Sequence, residues 1–313
     1  FSSVACCCCC SLRLFMDEEA VARLQAAHPA AYDPALADRQ GDIPDRMAGI
    51  KVLIVRNRTQ VTAELLAAAP DLKLVGRLGV GLDNIDLEAC KARGVEVIPA
   101  VGANTLSVAE YVVTNALVLL RNAYQAKHAM MAGGWPRAAC SGREAAGRRL
   151  GLIGFGGIAQ ETARLARAMG MAVCASDPFV PADSPAWAGV ERMDQAGVLA
   201  SADAVSLHVP LVAETKHLIN AETLKAMKPD AVLINAARGG VVDDAALAAA
   251  LRDGEIGGAA LDVFETEPLT KDAAQTFKGL KNLILTPHIA GVTEDSNSRV
   301  IAMIADEGLD RLA

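Results

Sequence analysis

The chain has 313 residues, long enough for two ordinary domains, and 52% of them are apolar. Its net charge of −7, with no compensating basic stripe, argues against a nucleic-acid partner. No apolar run reaches bilayer length, so a membrane protein is not expected, and the alanine-rich, aromatic-poor composition suits a soluble α/β protein.

The first segment carries five adjacent cysteines, Cys6 to Cys10. Adjacent cysteines have poor geometry for a disulfide framework. No CxxC pair or interleaved histidine suggests zinc, and Cys90, Cys140 and Cys174 are scattered, so no metal site is expected. A secretory signal would need a basic n-region and a small-residue cleavage site, whereas Met16-Asp17-Glu18-Glu19 follows instead. The segment reads as a first β-strand of unusual composition or as residues foreign to the natural chain, and the protein as cytoplasmic with reduced thiols.

Strand-like runs then alternate with helix-length segments. The early strands are Val52–Val55, Leu72–Val75 and Val95–Ile98. The later ones are Arg149–Phe155, Ala172–Ala175, Ala204–Leu207, Val232–Ile234, Gly258–Leu261 and Leu283–Leu285. Helices are expected over Val61–Ala69, Gln160–Met169 and Ala245–Leu251, and from Thr293 onward. Continuous apolar strands separated by helices predict parallel sheet covered on both faces. Ser107–Met131 reads as one long amphipathic helix stopped by Gly133-Gly134, with a domain boundary at its start.

Gly154-Phe155-Gly156-Gly157-Ile158-Ala159 is a Gly-x-Gly-x-x-Ala loop directly after a strand and directly before a helix. Gly154 permits the tight turn, Gly156 lets backbone approach a pyrophosphate, and the helix N-terminus offers free N–H groups to it. The motif alone is weak. Asp177 at the end of the next strand strengthens it, because an acidic residue there accepts bonds from the ribose hydroxyls and repels a 2′-phosphate. NAD is therefore expected over NADP, although Asp177 alone could equally be a turn aspartate.

Three strand ends carry candidate chemistry: Asn235-Ala236-Ala237-Arg238-Gly239-Gly240, Asp262-Val263-Phe264-Glu265-Thr266-Glu267-Pro268 and Thr286-Pro287-His288-Ile289-Ala290-Gly291. Ligands of open parallel sheets bind outside the carboxyl ends of strands. Reduction of a keto carbon needs a proton for its oxygen, which histidine carries near neutrality. A carboxylate paired with that histidine raises its pKa, and an arginine fork holds a substrate carboxylate. Arg238, Glu267 and His288 fit these roles. Each alone reads as well as a loop charge, a turn decoration or a structural histidine; together at successive strand ends they favour function. His208 is a rival base, read instead as lining the cofactor groove.

These segments, with Asn104-Thr105-Leu106-Ser107-Val108-Ala109-Glu110, resemble the D-isomer-specific 2-hydroxyacid dehydrogenases from about Phe15 to about Arg299. The resemblance implies two Rossmann-like doubly wound parallel-sheet domains of class α/β. A discontinuous substrate domain would span 1–102 and 288–313, with an NAD-binding domain at 103–287 that makes a homodimer. It implies cofactor contacts at Gly154, Gly156, Gly157, Ile158, His208, Val209, Pro210, Ala236, Ala237 and Gly291, and a nicotinamide-carboxamide partner in Asp262. Val80 and Gly81 resemble backbone donors to the substrate carboxylate, with Asn104 nearby. The chain ends at Ala313, leaving no room for the regulatory domain of longer phosphoglycerate dehydrogenases.

Arg56 and Arg58 follow the strand Val52–Val55, so they can face the domain cleft and suit a second substrate anion. For Arg58 a solvated charge is an even alternative. The pattern is similar to the sulfolactate dehydrogenases of the family, which makes (S)-3-sulfolactate the expected substrate, then 3-phosphoglycerate, then glyoxylate or hydroxypyruvate. An NAD-sensing binding module such as a corepressor is the rival class. Formate dehydrogenase carries glutamine where Glu267 stands here.

Overall fold

A computed structural model describes residues 4–7, 22, 25, 26, 29–33 and 35–312, with backbone alone at 4–7 and 308–312. Cys8 to Cys10 and the start of the family resemblance at Phe15 lie outside the described residues. The chain divides into two compact units, one of residues up to Asn104 with those from Val292 onward, the other Thr105–Gly291. His288 to Gly291, placed by the sequence reading at the start of the returning segment, therefore belong to the second unit.

Among the described residues the first unit holds five parallel strands, β1 (Val4–Cys7), β2 (Ala30–Tyr32), β3 (Val52–Val55), β4 (Leu74–Arg77) and β5 (Glu96–Pro99), in the order β2-β1-β3-β4-β5. Cys6 and Cys7 thus lie on an internal strand, between β2 and β3. Side chains alternate across the pleat. Leu53 and Val55 enter one core with Leu65 and Leu66 of the helix Ala63–Ala67 and Cys90 of the helix Leu87–Ala92. Val52 and Ile54 enter another with Val300, Ile301 and Ile304 of the returning helix Glu294–Leu312. Both short helices start on side-chain caps, Thr62 accepting from the Leu65 N–H and Asp86 from that of Ala89. Strands β4 and β5 sit two residues and one residue beyond the segments expected from hydrophobicity.

The second unit is a seven-stranded parallel sheet: β6 (Arg149–Ile153), β7 (Ala172–Ser176), β8 (Glu191–Arg192), β9 (Ala204–Leu207), β10 (Val232–Asn235), β11 (Gly258–Leu261) and β12 (Leu283–Leu285). Its order, β12-β11-β10-β9-β6-β7-β8, reverses between β6 and β9, the switch point where ligands of such sheets bind. Every residue of β9, β10 and β11 is buried, as strands covered on both faces require. Val198, Leu224 and Leu247 cover one face from the helices Gln195–Ser201, Ala221–Lys225 and Asp244–Asp253. Val112, Ala116, Ala159 and Ala163 cover the other from Thr105–Arg121 and Gly157–Ala168.

The long helix expected over Ser107–Met131 does not run through. It ends at Arg121, because Asn122 takes a left-handed conformation (φ 51°) and is followed by a 3₁₀ turn at Ala123–Ala126 and a short helix at Lys127–Met131. Asparagine is among the residues that accept this conformation most readily. Among the described residues, no helix is long and apolar enough to cross a membrane.

Candidate active site

Five loops leave the carboxyl ends of β6, β9, β10, β11 and β12, and local contacts join them in series. Gly154 (φ 87°) passes so close to the His208 carbonyl that a Cβ there would overlap it. Gly240 lies against Leu211, and a Cβ on Gly239 would overlap the backbone carbonyl of Phe264. The loops of Arg238 and Glu267 are therefore in backbone contact because residue 239 has no side chain. Gly239 is a requirement of this loop contact that the residue pattern alone did not single out; its place in the Arg-Gly-Gly run was the available signal.

The glycine loop fits a dinucleotide. Gly156 caps the helix Gly157–Ala168 without a side-chain bond, and open space surrounds the positions where Gly156 and Gly157 would carry a Cβ. That leaves backbone N–H groups facing room for a diphosphate. Phe155, between the glycines, is buried and stacks on Trp187 with centroids 4.6 Å apart, which fixes the turn. Asp177 Oδ2 accepts the Phe155 N–H at 2.7 Å and its Oδ1 accepts those of Phe179 and Val180. It is thus a turn aspartate as well as the acidic group beside the loop, and a lone pair on Oδ2, which accepts a single N–H, stays available to a hydroxyl. Ile158, Ala236, Ala237 and Gly291 are half-buried around these strand ends.

His288 stands in a left-handed backbone conformation (φ 53°), a strain of about 1–3 kcal/mol for a residue with a Cβ. Its Nδ1 is 2.7 Å from Glu267 Oε2, and Glu267 Oε1 accepts the Phe264 N–H at 3.0 Å. The hydrogen bond to Glu267 raises the His288 pKa against the opposing pull of burial. Burial pushes Glu267 up, but the bond and charge of His288 outweigh it and hold the carboxyl below its usual value. Arg238 places its charge within reach of both, favouring ionised Glu267 and opposing imidazolium. Its Nη1 donates to the Ala237 carbonyl at 2.7 Å, and Asn235 Nδ2 donates to the Arg238 carbonyl at 3.0 Å. The three residues expected to act together are brought together.

His208 behaves differently. Burial pushes its pKa down to about 4, and its Nε2 lies 3.0 Å from Ser206 Oγ. Near neutral pH its ring therefore stays uncharged, with no imidazolium proton to give, which favours His288 over it as the proton donor; Val209 and Pro210 continue its loop. Asp262 is fully buried, its oxygens accepting from Thr286 Oγ1 (2.5 Å), Ile289 N–H and Ala290 N–H (both 2.8 Å). The carboxylate expected to meet the cofactor also organises the loop that carries His288.

In the first unit, Arg56 is buried and Arg58 is not. Arg56 donates to Asn297 Oδ1 at 2.6 Å, and its carbonyl is held by Asn84 Nδ2. Arg58 turns outward to pair with Asp38, with nearly half its side chain exposed, which favours the solvated reading for it. Val80 and Gly81 follow Gly79 (φ 150°), over which the Arg77 guanidinium folds. Asn104 Oδ1 is buried and finds no hydrogen-bond partner among the described residues. No group of three His, Cys, Asp or Glu side chains among the described residues is placed to hold a metal ion.

The family model described as "D-isomer specific 2-hydroxyacid dehydrogenase, NAD binding domain" matches residues 113–290. The (S)-sulfolactate dehydrogenase of Chromohalobacter salexigens is 55% identical over 293 residues, 93% of this chain and 94% of that protein. The hydroxypyruvate reductase of Thermotoga maritima is 40% identical over 80% of this chain and 81% of that protein. Among solved structures, a D-lactate dehydrogenase from Aquifex aeolicus complexed with NAD and lactic acid superposes with a TM-score of 0.80 at 29% identity, covering 99% of this chain and 94% of that one. The chain belongs to the D-isomer-specific 2-hydroxyacid dehydrogenases and is an NAD-dependent oxidoreductase.

Proposed function

We propose that the protein interconverts a D-configured 2-hydroxy acid and its 2-keto acid, first of all a substrate with a second anion such as (S)-3-sulfolactate, then 3-phosphoglycerate, and behind these the singly charged substrates glyoxylate or hydroxypyruvate. The bond between His288 Nδ1 and Glu267, with Arg238 alongside, carries the chemical part of this reading. Bound NADH supplies the hydride in reduction. His288 gives the proton from its other ring nitrogen, Nε2, to the keto oxygen, while Glu267 keeps the ring charged and oriented. Arg238 grips the substrate carboxylate and polarises the carbonyl; the Val80 and Gly81 N–H groups and Asn104 assist. Residues 154–158 would hold the diphosphate and Asp177 the ribose. Residues 208–210, Ala236, Ala237 and Gly291 would line the groove, and Asp262 would hold the carboxamide.

The buried guanidinium of Arg56 supports the second anion, as does the likeness to a sulfolactate dehydrogenase. Removing a charge-assisted contact costs about 2 kcal/mol, roughly thirtyfold in affinity. Arg56→Ala is expected to raise KM for 3-sulfopyruvate by that factor while leaving KM for pyruvate nearly unchanged. A panel of 2-keto acids with NADH checks this: an unchanged KM for the dianions discards the second-anion reading, and no turnover on any of them favours a binding module.

We place the enzyme in the cytoplasm, where Cys90 and Cys174 stay as buried thiols, and assign it as a homodimer through the nucleotide-binding unit. Tyr124, Met130, Met131 and Trp135 are exposed within fifteen residues of the end of the helix Thr105–Arg121, an apolar patch suited to a second copy. Sedimentation is expected to give the dimer mass for the natural chain and the monomer mass for Trp135→Glu; a wild-type monomer refutes the assignment.

A further inference from the structure

Tyr111 lies on the helix Thr105–Arg121, one residue before the buried Val112, and its phenol reaches the loop after β12. The phenol oxygen is 2.7 Å from Thr286 Oγ1. The direction of this bond follows from the next one. Thr286 has one hydroxyl proton, and its oxygen lies 2.5 Å from Asp262 Oδ1, which as a carboxylate only accepts. Thr286 therefore donates to Asp262, and Tyr111 donates to Thr286. Burial pushes the Tyr111 pKa up to about 12, so the phenol keeps the proton this relay needs.

Asp262 is the hub at the end of the relay. Its backbone carbonyl accepts the His288 N–H at 2.8 Å, its Oδ1 accepts Ile289 N–H beside the Thr286 hydroxyl, and its Oδ2 accepts Ala290 N–H. Four donors from residues 286–290 thus converge on one buried aspartate. His288 sits in the middle of that wrap, in the left-handed conformation that persists only when its surroundings over-determine it. Thr286 is the one side-chain donor of the four, and Tyr111 aims it.

We propose that Tyr111 is a positioning residue: its O–H, acting through Thr286, fixes the Asp262 carboxylate around which residues 286–290 wrap, and so sets where the His288 imidazole stands against Glu267. This rests on the reading of His288 as the proton carrier. Tyr111 touches neither His288 nor Glu267 in this arrangement; it acts on them through the loop.

The test compares Tyr111→Phe, Thr286→Val, Thr286→Ser and His288→Gln in the full chain with NAD present. Two readouts separate positioning from packing: the His288 ring titration by NMR, tractable with five histidines in the chain, and the alkaline limb of kcat/KM for 2-keto acid reduction. In Tyr111→Phe and Thr286→Val both are expected to move to lower pH, because a loosened loop weakens the bond to Glu267. At saturating NADH, kcat falls about tenfold. Thr286→Ser, which keeps the hydroxyl, restores the wild-type titration. A lower melting temperature with titration and limb unchanged means a packing role and overturns the proposal. A change confined to KM for NADH overturns it too, since Asp262 would then act through the cofactor alone. If Tyr111→Phe does not fold, the valine and serine variants of Thr286 carry the same comparison. His288→Gln separates the two readings: retained activity with an unchanged limb removes the histidine assignment and the relay with it, whereas an inactive His288→Gln beside an unshifted Tyr111→Phe removes only the relay.

Discussion

Replacing His288 with glutamine is expected to lower kcat for 2-keto acid reduction by about a thousandfold, since general acid catalysis by a positioned side chain contributes on the order of 10² to 10⁴. Glu267→Gln leaves the imidazole in place but removes the charge that raises its pKa. The sign of the pH effect follows directly. Reduction needs the imidazolium, so its kcat/KM is flat on the acid side and falls as pH rises through the elevated His288 value. Oxidation needs the neutral ring, so its profile rises through the same value. In Glu267→Gln both midpoints move to lower pH, toward that of an unassisted histidine. Initial-rate profiles in the two directions check this, and a common midpoint that ignores the loss of Glu267 would sink the pairing as the source of the shift.

Gly239→Ala is the second substitution with a large expected effect. Its Cβ has nowhere to go: the Phe264 carbonyl occupies the place, and neither partner is the movable tip of a side chain. The loops of Arg238 and Glu267 must part. Overpacking of this kind costs about 1–3 kcal/mol, and a displacement near 1 Å at reacting groups costs roughly a hundredfold in rate. Gly240→Ala is the control. That residue has φ 76° but only Leu211 methyl groups near its Cβ position, at 3.5 and 3.6 Å, so alanine there meets chiefly the left-handed backbone cost of about 1–2 kcal/mol. Thermal melts and kcat/KM side by side decide it; equal losses of kcat/KM in the two variants would refute loop contact as the reason for Gly239.

What could be read from the sequence was whatever periodicity and local spacing encode. β3, β9, β11 and β12 fall where the apolar runs put them. The glycine loop and the trio of Arg238, Glu267 and His288 were legible because each follows a strand whose carboxyl end is a ligand edge. The break at Asn122 was not, because the apolar pattern continues across it and only a backbone conformation ends the helix. Arg58 looked like a twin of Arg56 in sequence; Asp38, twenty residues earlier, turns it to the surface. Tyr111 is the extreme case. Its partner Thr286 lies 175 residues away, and nothing in a helical stripe marks one of its members as the holder of a distant loop. The double duty of Asp262 escaped for the same reason, since three of its donors come from residues 24 to 28 positions further on.

Val52, Ile54 and Leu74 are covered by Val300, Ile301 and Ile304, so a sheet whose strands precede residue 100 shares its core with a helix that begins at Glu294. During synthesis the stretch from Thr105 to Gly291 emerges in between, and at about 5–20 residues per second that takes roughly ten to forty seconds. The unit begun first is thus finished last. Until its closing helix emerges, the nascent chain displays one bare apolar sheet face beside a second unit whose residues have all been made, and that interval is when it most needs a chaperone's protection.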